Sequence, residues 1–184
     1  DLAIGHIKEK VDLHLNEKVL SLEADENNNV KSLITDKGKY KVDYVIIAIG
    51  VLPNSDLAKE TGIKLSDNGA IIVDREGKTN IDSIYAAGDC ATIYDKVLDE
   101  QNYFSLATGA NKLGRMVASN LVGGHEKFLG SLGSACILAF ETELARTGIT
   151  EEEAKKRNIN YKTVTIKDVD HAHYYPNYED LHIK

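Results

Sequence analysis

One stretch limits the folds open to this chain: Thr79-Asn-Ile-Asp-Ser-Ile-Tyr-Ala-Ala-Gly88-Asp89-Cys90. A Thr-Asn turn leads into a short apolar run. The run closes on two alanines, a glycine and a carboxylate. Gly88 has no Cβ, so a bulky ligand can approach the backbone there. Asp89 can accept hydrogen bonds from hydroxyl groups. A second segment, Asn102 to Leu121, has helical character, with Leu106, Ala110, Leu113, Val117 and Leu121 on one face. Small residues at Ala107, Gly109, Ala110 and Gly114 let something pack against its first turns. From the pattern alone, that something is equally a sheet or a ligand.

The rest of the chain reads in order. Ile4, Ile7 and Val11 are spaced as the end of a helix, and Val11 to Leu15 alternates like a half-buried strand. Lys18 to Ala24 and Val30 to Thr35 read as strands joined by the turn Asp25 to Asn29, and Asp36 to Lys39 makes the next turn. Lys41 to Gly50 reads as a strand buried on both faces toward its end. Pro53-Asn54 breaks it. Ser55 or Asp56 then caps a short helix through Thr61, stopped by Gly62. Ala70 to Asp74 reads as a strand after the Asp67-Asn68-Gly69 turn, and Thr92 to Glu100 as loop. Gly123-Gly124 ends the long helix and marks a domain boundary. Ala135 to Phe140, Tyr161 to Val169 and Leu181 to Lys184 read as strands. Thr150-Glu-Glu-Glu153 is a capping box opening a helix to about Arg157.

With these residues in place, a family resemblance appears. Thr79 to Cys90 resembles the second flavin motif of the pyridine nucleotide-disulfide oxidoreductases. Val45-Ile-Ile-Ala-Ile-Gly50-Val-Leu-Pro53-Asn54 is similar to that family's passage from nicotinamide domain back to flavin domain. Leu106-Ala107-Thr108-x-Ala110-Asn111-Lys112-x-Gly114-Arg115 and His171-Ala172-x-Tyr174-Tyr175-Pro176 resemble the branch holding NADH oxidases and coenzyme A disulfide reductases.

The resemblance implies an α/β fold: pieces of Rossmann-type NAD(P)H- and FAD-binding domains at 1–50 and 51–124, then part of an α+β dimerisation domain at 125–184. It implies FAD and NAD(P)H as cofactors, a homodimer, and a small-molecule electron acceptor. The acceptor would be coenzyme A disulfide or another disulfide, peroxide or dioxygen, reached through flavin and a cysteine. On this reading Gly88 and Asp89 meet the ribityl chain of FAD. Leu106, Ala107 and Thr108 start a helix facing the pyrimidine edge of the flavin, where the helix dipole favours negative charge by about 1 kcal/mol. Tyr174 or Tyr175 would reach the partner subunit's active site, with core packing of both as the plainer reading. One alternative is a flavin reductase serving an iron–sulfur or rubredoxin partner. Another is a non-catalytic oligomerisation module.

Composition narrows the classes further. The net charge of −7 argues against nucleic acid and anionic membrane as partners. No apolar run approaches the roughly 20 residues of a membrane helix. The 184 residues hold two cysteines, far apart, which do not suggest a disulfide framework and suit a reducing cytoplasm. Cys90 and Cys136 both read as buried structural residues. His171 and His173 lack a second ligand cluster, so no metal site is expected. No Gly-x-Gly-x-x-Gly occurs to seat a pyrophosphate. The chain is therefore read as the C-terminal part of a longer flavoprotein, without the redox cysteine, and as inactive alone.

Overall fold

The computed structural model describes residues 2–184. They form two compact units, one running to Arg146 and the other Thr147–Lys184.

The first unit begins with helix α1 (Leu2–Lys10). Ile4 and Ile7 share its half-buried side, and Lys8 and Lys10 lie in the last turn, where the dipole favours cations. Lys10 pairs with Glu141 at 3.0 Å, and His6 Nδ1 lies 3.0 Å from Thr142 Oγ1. Val11 to Leu15 is not a strand, because no described segment pairs with it. Its side chains serve a polar cluster instead. His14 Nε2 lies 3.1 Å from Asp12 Oδ2, and His14 Nδ1 lies 3.0 Å from Glu17 Oε2. Glu17, with its side chain only 6% exposed, also accepts from the hydroxyls of Thr35 and Tyr40, at 2.5 and 2.8 Å. Two carboxylates facing both ring nitrogens favour the doubly protonated imidazole. The bonds to Asp12 and then Glu17 accordingly raise the His14 pKa. The hydroxyls of Thr35 and then Tyr40 lower that of Glu17.

This cluster anchors an antiparallel sheet, β1 (Val19–Ala24), β2 (Val30–Thr35) and β3 (Lys39–Lys41), in that order. The turns are where the polar residues place them. Asp25 accepts from the amides of Asn27 and Asn29 at 2.8 and 2.9 Å. Thr35 Oγ1 accepts from those of Lys37 and Gly38 at 3.1 and 2.9 Å.

The expected core strand ending at Gly50 is absent. Only its first residue lies in β3, and Tyr44 to Leu52 runs without ladder partners, leaving Ile46 91% and Ile49 92% exposed. A strand apolar on both faces needs neighbouring strands and covering layers, and the described residues supply neither. The helix expected through Thr61 shrinks to one 3₁₀ turn, Asp56–Ala58. Ser55 does not cap it with its side chain; its hydroxyl donates to the Gly69 carbonyl at 2.6 Å.

Ala70 to Asp74 is extended but makes only isolated bridges: Ile71 pairs antiparallel with Leu65 and parallel with Ala91. Thr92 to Glu100, expected as loop, contains most of a hairpin of β4 (Ile93–Asp95) and β5 (Glu100–Asn102). The buried Asp95 carboxylate builds its turn by accepting from the amides of Val97 and Leu98 at 2.8 and 3.2 Å.

Helix α2 (Ala107–Leu121) starts five residues later than expected. Its buried face is Gly109, Leu113, Met116, Val117 and Asn120, while Leu121 is exposed. Leu113, Met116 and Val117 form a core with Ile93 and Phe128, flanked by Tyr85, Ala87, Tyr94 and Phe104. Asn120 clasps this end by donating to the carbonyls of Glu76 and Glu126 at 3.0 and 2.9 Å. A two-stranded ribbon follows, β6 (Ala135–Ala139) with β7 (Thr142–Arg146).

The second unit holds α3 (Glu151–Lys156), β8 (Ile166–Val169) and β9 (Asp180–Ile183), the strands pairing antiparallel. Thr150 Oγ1 accepts from the Glu153 amide at 3.2 Å, as the capping box predicts. The strand expected from Tyr161 begins only at Ile166. Glu151 pairs with Lys155 and Lys184 and accepts from Tyr161, which together pull its pKa down to about 2.

Candidate functional site

The Thr79 stretch turns at Thr79-Asn80 as its sequence indicates, but within a hairpin rather than into a plain apolar run. Thr79 Oγ1 accepts from the Ile81 amide at 3.2 Å, and the Thr79 amide donates to the Ile84 carbonyl at 2.9 Å. A hairpin results, bridged between Lys78 and Tyr85, with Ser83 at a φ of +67° inside its turn. Asn80 anchors it outward: its Oδ1 accepts from the Lys64 amide at 2.7 Å and its Nδ2 donates to the Gly62 carbonyl at 2.9 Å. Tyr85 and Ala87 then pack against the core, which carries the chain to Gly88.

Gly88 has a φ of +91°, so glycine is required by the backbone. A Cβ built there would meet no atom within 4 Å, and the space in front of the turn is open to a ligand. The turn closes with the Ala91 amide donating to the Gly88 carbonyl at 3.1 Å. It is tied to Ile71, whose amide donates to the Cys90 carbonyl at 2.8 Å and whose carbonyl accepts from Thr92 at 2.8 Å. Asp89 is exposed, and none of the described hydrogen bonds or ion pairs uses its carboxylate.

The start of α2 is the second face. Leu106 is the residue before the helix, with a φ of −130° and no side-chain cap; the first turn holds no acidic residue. The first amides of a helix have no intrahelical acceptor, so these donors are free of side-chain capping. Ala107 and Thr108 are exposed and Leu106 is half-buried. The small residues divide between the two readings left open. Gly109 is a packing residue, because a Cβ there would come within 2.9 Å of Ile93 Cδ1. Ala107 and the site of a Cβ at Gly114 face open space.

Sequence reasoning overlooked Tyr103, whose hydroxyl donates to the Asp89 carbonyl at 2.9 Å. Its only forewarning was the run Asp95 to Asn102, where a turn-building aspartate precedes a polar strand.

Tyr174 and Tyr175 lie in a loop of the second unit, 86% and 55% exposed, with ring centroids 5.1 Å apart. They are not core residues. His171 and His173 sit in the same loop; His171 pairs with Asp170 at 2.8 Å, and His173 meets Tyr178 edge-on. The cysteines depart from expectation. Cys136 is exposed on the β6–β7 ribbon, and Cys90 is half-buried with Sγ 3.6 Å from the Ala87 carbonyl. No helix among the described residues is long and apolar enough to cross a membrane.

Known proteins resemble this chain in sequence and fold. Over its whole length the chain is 36% identical to an NAD(P)H sulfur oxidoreductase (CoA-dependent) of Pyrococcus furiosus, of which it spans 41%. A solved NAD-dependent persulfide reductase from A. fulgidus superposes on 98% of the chain with a TM-score of 0.88 at 32% identity, over 34% of that structure's chain. A water-forming NADH oxidase from Lactobacillus brevis does so on 98% with a TM-score of 0.87 at 30% identity, over 40% of its chain. The small sheets and helices are thus a part of the α/β, Rossmann-type architecture of these oxidoreductases. Residues 3–114 match the family described as pyridine nucleotide-disulphide oxidoreductase, and they include the Gly88–Asp89 turn and the start of α2. This chain therefore belongs to the pyridine nucleotide-disulphide oxidoreductase family.

Proposed function

We propose that the chain is part of an FAD-dependent NAD(P)H oxidoreductase that delivers electrons to a small acceptor: a disulfide such as coenzyme A disulfide, peroxide or dioxygen. One observation carries this reading. The open turn at Gly88–Asp89 and the uncapped start of α2 belong to segments that share one core. FAD supplies the hydride-accepting chemistry when bound. The residues fit it: Gly88 leaves room at the turn, and Asp89 offers a carboxylate free to accept from ribityl hydroxyls. The start of α2 at Leu106, Ala107 and Thr108, with the free amides of Ala107 and Thr108, would turn the positive end of the helix dipole toward the pyrimidine edge.

On this reading residues 1–50 end the nicotinamide domain, 51–124 end the flavin domain and 125–184 open the dimerisation domain. The exposed Tyr174 and Tyr175 face the active site of the second subunit in a homodimer. Electrons leave the flavin through a cysteine other than Cys90 or Cys136: Cys90 directs its thiol at a carbonyl, and Cys136 lies on the β6 ribbon. Two free thiols suit a cytoplasmic location. The exposed apolar run Tyr44 to Leu52 would be covered by neighbouring strands of the whole protein.

The test uses the complete protein. It should purify yellow and oxidise NAD(P)H, and Asp89→Ala should weaken FAD binding about tenfold or more, the cost of a charge-assisted hydrogen bond. Undiminished affinity in Asp89→Ala would remove the ribityl role, and a colourless, inactive protein the flavin reading as a whole.

A further inference from the structure

Among the described hydrogen bonds, the one made to Asp89 comes from the Tyr103 hydroxyl, at 2.9 Å from the Asp89 carbonyl. Gly88, the residue before, has glycine's wide backbone freedom and nothing packed where a Cβ would stand. The turn is held on both sides of Asp89, by the Ala91 amide on the Gly88 carbonyl and the Ile71 amide on the Cys90 carbonyl, and between them the Asp89 carbonyl is held by the Tyr103 hydroxyl.

Tyr103 is well placed to fix it. The Tyr103 amide donates to Asn102 Oδ1 at 2.8 Å, and Asn102 Nδ2 donates to the buried Asp95 carboxylate at 3.1 Å. Asn102 also pairs with Ile93 across the β4–β5 hairpin, and Ile93 belongs to the core beneath α2. Tyr103 therefore stands on backbone secured to a buried group. Three residues later comes Leu106, the residue that precedes α2.

We propose that Tyr103 is a positioning residue for flavin binding: through the Asp89 carbonyl it locks the Gly88–Asp89 turn to the segment that starts α2, so the carboxylate and the first helix amides meet the ligand in fixed register. The inference rests on the reading of Asp89 as the ribityl contact. Tyr103 itself need not touch the flavin, because its effect passes through Asp89.

The test is a double-mutant cycle in the complete protein, reading the dissociation constant of FAD from apoprotein titrations. Asp89→Ala should raise it about tenfold or more, and Tyr103→Phe, which deletes one hydroxyl, about fivefold, as for one neutral hydrogen bond. The double variant should bind nearly as well as Asp89→Ala alone, because the group being positioned is gone. The apoprotein of Tyr103→Phe should melt with the native one. Effects that multiply in the double variant overturn the inference, since Tyr103 would then act elsewhere. So does a Tyr103→Phe loss that tracks a lowered apoprotein melting temperature. Unchanged affinity in Tyr103→Phe with a clear loss in Asp89→Ala refutes the positioning role and leaves the ribityl contact standing. Unchanged affinity in Asp89→Ala refutes the ribityl contact first, and the positioning role with it.

Discussion

Replacing Gly77 by alanine should loosen the joint between the Thr79 hairpin and α2. Gly77 has a φ of +81°, and a Cβ there would lie 2.2 Å from Val117 Cγ2. Val117 is 7% exposed and part of the core. Being β-branched and helical, it holds one strongly preferred rotamer and cannot swing aside. Two costs follow. The left-handed backbone costs about 1–2 kcal/mol for a residue with a side chain. Forcing a methyl into a packed core costs about 1–3 kcal/mol more. Together they give roughly 2–5 kcal/mol, and each 1.4 kcal/mol is a factor of about ten. Hydrogen exchange of the α2 amides around Leu113 to Asn120 reads this locally. Protection there should fall by a factor on the order of 30 or more. Val117→Ala alone should cost about 2 kcal/mol from lost burial. Combined with Gly77→Ala it should relieve the steric part, so the double variant should cost about 1–3 kcal/mol less than the sum of the singles. Native protection in Gly77→Ala, or strict additivity in the double variant, would refute the close packing inferred here.

The remaining predictions concern charge and capping. The His14 pKa is raised, so its contribution to the sheet is full below 6.5 and is lost as pH rises through the higher folded value; an NMR titration should place it above 6.5, and Glu17→Gln should bring it down toward 6.5. A pKa unmoved by that substitution contradicts the cluster. Glu151 has its pKa lowered to about 2, so what it contributes to α3 and β9 is present above 4.5 and is lost as pH falls through about 2. Glu151→Gln should flatten that acid transition in the chemical shifts of the second unit, and an unchanged transition would assign it to other groups. Thr150→Ala should cost about 1 kcal/mol of local stability through the lost cap, seen as roughly fivefold faster exchange of the first α3 amides.

Much of the structure was legible in the sequence where local chemistry decides it. Asp25 and Thr35 turn the first sheet because their side chains accept from amides two to four residues on. Thr150 announces α3, and the chain turns at Thr79-Asn80 as its residues indicate, although the hairpin this turn belongs to was not foreseen. What was not legible depends on partners distant in sequence. Val45 to Gly50 has the composition of a central strand, but a strand exists only where ladders and layers meet it, and the described residues bring none. Val11 to Leu15 alternates, yet its polar residues are drawn into the Glu17 cluster. Cys136 sits in an apolar run that reads as core, but on the two-stranded β6–β7 ribbon it is exposed. The β4–β5 hairpin was hidden by polar residues, because the buried Asp95 has its role only once Asn102 is opposite Ile93. At the candidate site, Gly88 and Asp89 stood out as residue types with chemistry to offer. Tyr103 did not, since only the folded chain brings its hydroxyl to a carbonyl fourteen residues earlier.

The most direct test of the central claim is a crystal structure of the complete protein grown with FAD. An Asp89 carboxylate oxygen should lie within hydrogen-bond distance of a ribityl hydroxyl, with Leu106 to Thr108 facing the pyrimidine edge of the flavin. A bound flavin with Asp89 turned to solvent, or with the start of α2 facing away, would contradict that claim.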